Sequence, residues 1–507
     1  MSTYLQQQFR QWFGSEQRKS LPGGVRFQIE QPGTRWLLSL VFFATQTFAV
    51  CAANAAITPS LFAPAQDFAA GPAGSDPHAM AVADFNGDGK PDLAVTNDLG
   101  QFTSGRVSVL LGNGNGTFQT PLSFAVGVRP WSVAVGDFNG DGKPDLAVAN
   151  VLNSITTGSV SVLLNNSTGN GAVSFQEQMV FFVARDPSSV AVGDFNGDDE
   201  PDLAVTHVYV NTVGVLLGNG DGTFQGELAF AVGNAPFSVA VGYFNDDAKL
   251  DLVTANLNGY TVSVLLNNSP GNGIVTFQEQ EEYSVGQLPR WVAVEDFDGD
   301  GNLDLAVAND GSYYVSVLLG NGDGTFKDQE VFSVYAASRT VAVGDFNGDG
   351  KPDMALTNII ADWVSVLLGY GDGTFQAAQT FAVGVYPLAV AAVGDFDGDG
   401  QLDLAVANNG SNTVSVLLNT TVLPPQQQAQ VLIQLVTSLV TSGVLTKGQG
   451  NSLTTKLKNV TNFGGTGPVK AFIKEVQALV KSKRLTTAQG NVLIGLANAL
   501  LDSLSTD

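Results

Sequence analysis

One pattern of apolar and polar positions returns along most of this chain. Stretches such as SVAVGDF (132–138) alternate apolar and small residues with period two, the spacing of a half-buried strand. An acidic nine-residue turn follows, and then DLAVAN (145–150) as a second strand. After a variable loop, segments such as VSVLLGNGDGTF (315–326) supply a third strand and a Gly-rich turn, and FAVG (381–384) a fourth strand. Four short strands joined by tight turns make one blade of a β-propeller. A single blade cannot bury both of its faces, so blades must stack into a ring.

The acidic turns begin at Asp84, Asp137, Asp194, Asp296, Asp345 and Asp395, with a degraded copy at Tyr243, in steps of 49 to 57 residues. Repeats of that period carrying strands mark a propeller or solenoid. The predicted fold is an all-β propeller over residues 61–421, with seven four-stranded antiparallel blades and a small C-terminal all-α domain. The last repeat stops after its third strand, at VSVLLNTT (414–421), whereas LFAPAQDFAAG (61–71) matches the fourth-strand segment TFQAAQTFAVG (374–384). The N-terminal strand should therefore complete the last blade and remove two exposed sheet edges.

Outside the repeats the pattern changes twice. Beyond a linker at 422–430, residues 431–507 take helical spacing. SGVLTKGQGNSLTTKL from Ser442 and SKRLTTAQGNVLIGLA from Ser482 match at an offset of 40 residues. Thr446 with Gln449, and Thr486 with Gln489, have capping-box spacing, so two helical hairpins are expected. At the other end, Arg26 and Arg35 precede the apolar run Trp36 to Ile57, which carries a small-x-small pattern at Ala53-Asn54-Ala55. Residues 1–57 read as a signal peptide or, alternatively, an N-terminal membrane anchor. Either places the body outside the cytoplasm, secreted or at the cell surface. The single cysteine, Cys51, falls in this segment, which excludes disulfides within the body. Two histidines, His78 and His207, do not suffice for a His-based zinc site.

Charge then narrows the chemistry. There are 47 Asp+Glu against 23 Lys+Arg, a net charge of −24, and 25 of the acids lie in the seven repeat turns. Nucleic acid is excluded as a general partner, since neutralising phosphates requires a basic surface. Acids bunched at fixed loop positions repel one another unless a cation sits between them. Positions 1, 3, 5 and 9 of the turn, with the backbone carbonyl at 7, offer the hard oxygens that calcium takes, and a glycine at 6 permits the sharp bend. The ligand sets are Asp84, Asn86, Asp88, Lys90 and Asp92; Asp137, Asn139, Asp141, Lys143 and Asp145; and Asp296, Asp298, Asp300, Asn302 and Asp304. Asp345, Asn347, Asp349, Lys351 and Asp353, and Asp395, Asp397, Asp399, Gln401 and Asp403, complete the five full sets. The third turn keeps Asp194, Asn196, Asp198 and Asp202 but has Asp199 at the glycine, so a weaker site is expected. The fourth has Tyr243 for the first aspartate and Ala248 for the glycine, leaving Asn245, Asp247 and Asp251 and an empty loop. About six Ca2+ sites are expected in all. With no glutamate at position 12 these are not EF-hands. The competing reading is an Asx-rich hairpin turn, for which NG and DG suffice. A turn does not require acids at 1, 5 and 9 all round a ring.

The DFNGDGxxDLAV loop with its following GDGTF turn resembles the FG-GAP or VCBS repeat family, the type that forms the seven-bladed propeller of integrin α-subunits. The resemblance covers residues 61–419. It implies the propeller fold and calcium loops between the first and second strands of each blade. It does not fix an activity, because such propellers occur in adhesins, lectins and accessory domains of secreted enzymes. The helical pair is similar to a module appended to bacterial secreted proteins.

A second ring emerges when the loops before each first strand are aligned, among them GVRPWSV, ARDPSSV, GQLPRWV, YAASRTV and GVYPLAV. They bring Arg129, Trp131, Arg185, Arg290, Trp291, Arg339 and Tyr386, with His78 and Phe237, to equivalent places. Four of the five arginines between 61 and 419 are here, and Tyr209, Tyr260, Tyr313 and Trp363 follow the second strands on the same face. This face lies opposite the acidic turns. Planar Arg and aromatic groups suit carboxylates, sugars or peptide carbonyls. The competing reading has the aromatic residues wedging blades together while each Arg pairs with a nearby acid. The GNGDGTF turns read as plain hairpin turns. The expected function is a monomeric, calcium-binding module for binding or adhesion without catalysis, with a protein or glycan ligand on the face opposite the calcium. The alternative is a carbohydrate-active propeller, either a lectin or a polysaccharide lyase.

Overall fold

The computed structural model of the chain describes residues 61–504, apart from 101–102, 152–156, 170, 272, 422–424, 442–443, 464–465 and 486. Residues 1–57, read above as a signal peptide or membrane anchor and including Cys51, and Thr486 of the second capping box, lie outside the described residues.

Strands β1 (Gln66–Ala69) to β28 (Thr413–Leu417) form seven four-stranded antiparallel sheets. Blade one takes β2 (Asp76–Ala83), β3 (Asp92–Asp98), β4 (Ser104–Leu110) and β5 (Leu122–Val128), and the next five blades repeat it in chain order. Blade seven joins β26 (Pro387–Gly394), β27 (Asp403–Asn408) and β28 to β1, with Asp67 opposite Ser415 and Phe68 opposite Val414. The N-terminal strand thus closes the ring, as the sequence match implied, and no blade is left with an unpaired third strand.

Burial explains why DLAVAN recurs. Every residue of the second strand is buried in blades two to seven, because a neighbouring blade covers each face. The fourth strands, on the outside, bury almost nothing, as in Gln379–Ala382. The Phe at position 2 of each acidic turn is buried, from Phe85 to Phe396. Its carbonyl is then gripped by a neighbouring blade in one of two ways. Four blades use the Gly-rich turn: the amides of Gly116, Gly222, Gly324 and Gly373 donate to the carbonyls of Phe396, Phe138, Phe244 and Phe297 at 2.7–3.1 Å. The other three use an asparagine side chain: Asn165, Asn267 and Asn419 donate through Nδ2 to Phe85, Phe195 and Phe346. The Gly-rich turns are therefore hairpin turns that also fasten blade to blade. Their aspartates behave as turn residues, Asp221 accepting from the Thr223 amide and hydroxyl.

Six blades share a buried polar rung in which Asn97, Asn150, Asn256, Asn309, Asn358 and Asn408 donate to Ser108, Ser161, Ser263, Ser316, Ser365 and Ser415 at 2.8–3.1 Å. Blade three replaces it. His207 takes the asparagine position and Gly214 the serine position. Glu227 fills the space beside Gly214, its Oε1 3.0 Å from His207 Nε2 but off the line of a hydrogen bond.

Four helices follow: α1 (Pro425–Thr441), α2 (Lys447–Phe463), α3 (Thr466–Lys481) and α4 (Thr487–Ser503). The first starts inside the stretch read as linker, with Pro425 at its first position, where a proline loses no helical hydrogen bond. The Thr446–Gln449 capping box forms, the Thr446 amide donating to Gln449 Oε1 at 2.9 Å and the Gln449 amide to Thr446 Oγ1 at 3.3 Å. Leu432, Val436, Leu453, Leu457, Val469, Phe472, Leu493 and Leu500 form a common core. The 40-residue repeat reappears in packing, since Gly450 and Gly490 lie too close to Val440 and Val480 to admit a Cβ. Among the described residues no helix is long and apolar enough to cross a membrane.

Candidate functional site

Each first strand runs from one polar ring to the other. In blade two the strand spans Pro130–Gly136, with Arg129 and Trp131 at its start and the acidic turn 137–144 at its end. Seven residues at about 3.3 Å each separate the two ends by roughly 20 Å.

At the acidic end all seven turns fold on themselves. The first aspartate accepts the amides of positions 5 and 6: Asp84 Oδ1 from Asp88 at 3.0 Å and Oδ2 from Gly89 at 2.7 Å. Asp137, Asp194, Asp296, Asp345 and Asp395 repeat this. The residue at position 3 accepts the amide of position 5, and position 5 accepts that of position 7, as Asn86 and Asp88 do. Carboxylate and amide oxygens therefore converge on the inside of the turn. In two turns the convergence of three acids is tight: Asp296, Asp298 and Asp304 offer oxygens within 4.8 Å of one another, and so do Asp395, Asp397 and Asp403. These two have aspartate at position 3, where the others have asparagine. A hard cation with oxygen ligands fits this donor set.

The ninth residue has a second duty that the sequence did not disclose. Asp92 accepts the Phe85 amide on Oδ2 at 3.0 Å and the Gly112 amide on Oδ1 at 2.8 Å. Asp145, Asp202, Asp251, Asp304, Asp353 and Asp403 do the same in their own blades. All seven are fully buried. Burial pushes Asp92, Asp145, Asp202, Asp251 and Asp304 up to about 6, and Asp353 and Asp403 up to about 7, against the pull of those two hydrogen bonds. The staple is intact in the fourth turn, where Tyr243 provides no first carboxylate and, among the described residues, no side chain accepts the amide of Ala248. The ninth aspartate is thus required by the blade whether or not a cation binds. Asp199 and Ala248 hold the glycine position at φ 68° and 60°, a conformation that costs a side chain strain.

At the other end the ring of Arg and aromatic residues divides. Three arginines follow the structural alternative: Arg129 pairs with Asp98 at 3.8 Å, Arg185 with Asp186 at 2.8 Å, and Arg290 with Asp310. Each also lies over an aromatic ring, Arg129 on Trp131, Arg185 on Tyr209 and Arg290 on Phe237, at 5.6, 4.4 and 4.6 Å. Arg339 behaves differently. It lines a cavity of about 220 Å³ in the mouth of the central channel, together with His78, Trp131, Phe237 and Trp291. His78 stacks on Trp131 at 5.6 Å, and burial, then the charge of Arg339, lowers its pKa to about 4, so it is neutral near pH 7. Tyr386 lies near Arg339 at the rim, whereas Arg185 stands outside the cavity. Ser132, Ser188, Ser189 and Thr340 complete the wall; the sequence reading passed over them as ordinary strand residues. Around the mouth Tyr209, Tyr260, Tyr313 and Tyr335 are exposed.

Comparison with known proteins places these repeats. The FG-GAP-like repeat model matches residues 84–148, 243–307 and 296–356, and the FG-GAP repeat model matches 129–175, 187–213 and 388–417. No curated protein matches the chain. Among solved structures it is similar to an Agrocybe aegerita lectin specific for non-reducing terminal N-acetylglucosamine, at 21% identity over 60% of this chain and 80% of that one, with a TM-score of 0.40. It is also similar to the Pseudomonas aeruginosa periplasmic gluconolactonase, at 19% identity over 61% and 86% of the two chains and a TM-score of 0.46. For a Bacillus licheniformis rhamnogalacturonan lyase the identity is 12%, over 71% and 76%, with a TM-score of 0.39. Likeness of this order carries no ligand or reaction across to this chain. The repeated DFNGDG turns, the blade topology and the matched family models together make this chain an FG-GAP repeat protein folded as a seven-bladed β-propeller.

Proposed function

We propose that the protein is a calcium-stabilised binding propeller acting outside the cytoplasm, with its calcium loops on one face and its ligand on the other. Residues 1–57 serve export or anchoring. The observation that carries the reading is the separation of the two polar rings at opposite ends of the same strands. The loop oxygens converge without cationic side chains of their own in the fifth and seventh turns, which is the arrangement a divalent cation completes. In those turns the side chains of Asp296, Asp298, Asp300 and Asp304, and of Asp395, Asp397, Asp399 and Asp403, would hold it. Bound calcium supplies charge neutralisation and cross-links the turn.

A binding role rather than catalysis is supported by the state of the candidate acid–base groups. His78 is held neutral against Trp131, and His207 is fully buried beside Glu227. His207 Nδ1 lies 3.3 Å from the Thr212 hydroxyl, but with no exposed surface the imidazole is out of the reach of a substrate that acid–base or covalent chemistry requires. The exposed tyrosines around the channel favour a glycan or peptide surface, because such rings supply large contact area at low entropic cost. Calorimetric titration of the chelator-stripped protein with calcium should reveal about six sites, with chelator lowering the melting temperature. A glycan and peptide array probed with the loaded protein then tests the ligand face. An unchanged melting curve with and without chelator refutes the calcium assignment.

A further inference from the structure

We infer that the channel-mouth cavity is a binding site for a carboxylate-bearing sugar ring, a hexuronate, held by Arg339 through its carboxylate and by the aromatic wall through its ring. The inference deepens the ligand face proposed above and rests on that reading.

The argument starts from an unbalanced charge. Arg129, Arg185 and Arg290 each hold an aspartate, but no carboxylate lies within ion-pair distance of Arg339 among the described residues. Asp310, whose charge reaches Arg339, is already bound to Arg290. Tyr386, near it at the rim, brings a phenol and no carboxylate. Arg339 is mostly buried, and burial, then the charge of Arg290, lowers its pKa to about 10. A desolvated guanidinium without a counter-ion is costly to a fold. In a chain of net charge −24, which has acids to spare, the missing partner is the notable fact.

The second observation is a donor without an acceptor. Trp131 Nε1 is buried and, among the described residues, has no hydrogen-bond partner, and Trp131 lines the same cavity. An indole N–H is a donor only, so its partner must be an acceptor. Nearby, Ser132 and Ser189 accept the amides of Val190 and Val239 from the adjoining blades, which leaves each hydroxyl proton for another acceptor. The wall therefore offers a cation and several donors to oxygen atoms, between aromatic rings. His78, neutral, adds no competing charge.

Size selects within the carboxylates. A volume of about 220 Å³ is below that of drug-sized sites, roughly 300–1,000 Å³, and suits a solute of monosaccharide dimensions. A planar carboxylate matches the guanidinium fork, ring oxygens match the indole and hydroxyl donors, and the apolar face of a pyranose matches Trp131 and Trp291.

The test uses the calcium-loaded chain and its tryptophan fluorescence, with calorimetry as a second readout. Free galacturonate and glucuronate, short oligogalacturonates, galactose, acetate and an acidic peptide are titrated in turn. Saturable binding of a hexuronate, at least about 10-fold tighter than galactose or acetate, is expected from a charge-assisted hydrogen bond. Arg339→Gln should weaken it at least about 10-fold, and Trp131→Phe, which keeps an aromatic wall but removes the donor, about 2- to 10-fold. If Arg339→Gln misfolds, Trp131→Phe still decides, because its ring is retained. Binding of free acids alone identifies a soluble sugar acid, and binding of oligogalacturonates as well identifies a chain terminus. Equal binding of acetate, binding of the acidic peptide alone, or no response to any hexuronate overturns the inference. A glycan found on the array but insensitive to both variants would leave the binding propeller standing and this site refuted.

Discussion

The ninth aspartate of the fourth turn separates the scaffold from the metal. Asp251 is fully buried, and its two oxygens accept the Phe244 amide at 3.0 Å and the Asn267 amide at 2.7 Å. Its turn has lost the first aspartate to Tyr243 and the glycine to Ala248, so no calcium term is expected there. Asp251→Ala leaves both amides buried without acceptors, and an orphaned buried donor costs about 1–3 kcal/mol, or about 2–6 kcal/mol for two. Removing the carboxylate also relieves its own desolvation, which is what pushes its pKa up to about 6, so the lower part of that range, about 2–4 kcal/mol, is the expected loss. Unfolding entropy of about 2.1 cal/mol/K per residue, over a propeller of about 360 residues, gives about 0.75 kcal/mol/K. The melting temperature should therefore fall by about 3–5 °C. Differential scanning calorimetry in excess calcium and in excess chelator should give the same shift. Asp251→Asn, able to accept through one atom only, should fall between. No shift would refute the staple, and a shift confined to the calcium sample would make Asp251 a metal ligand instead.

Three further outcomes follow from the same contacts. Burial raises the seven stapling aspartates to about 6 to 7 in the folded chain, above the ordinary 3.8 of an aspartate, so the folded chain binds their protons more tightly; their contribution is full below about 4 and is lost as pH rises through 6–7. In chelator the melting temperature should rise from pH 8 to pH 5, and calcium should flatten that slope; a steady fall over the same range contradicts the assignment. Asn267→Gly removes the side-chain bonds to the Phe195 and Leu250 carbonyls and should cost about 1–3 kcal/mol by denaturant titration, whereas retained stability would show that the asparagine clasp is dispensable. In blade three Gly214→Ser alone should destabilise, since a Cβ there runs into Glu227. The triple change His207→Asn, Gly214→Ser and Glu227→Gln rebuilds the rung of its neighbours, and its unfolding free energy should return to within about 1 kcal/mol of the parent's. A triple variant as unstable as the single one would mean that the His–Glu pair is needed for another reason.

The period-two strands, the turn at each fifty-residue step and the orphan strand at Leu61–Gly71 made the ring, its blade count and its closure legible from the sequence, because each follows from local spacing and from the need to bury strand faces. The acidic ligand sets were legible too, since side chains at 1, 3, 5 and 9 of one turn are brought together by that turn alone. What stayed hidden was the double role of position 9: the partners of Asp92, Gly112 among them, lie up to 20 residues away and enter only when the third strand pairs. The clasps were hidden for the same reason, as Asn165 reaches Phe85 across 80 residues. Nor could any alignment of the seven loops tell Arg339 from Arg129, Arg185 and Arg290. Local sequence fixes what a turn can hold; only the closed ring, by setting which charges meet across blades, decided that three arginines are paired and that one, in the mouth of the channel, is not.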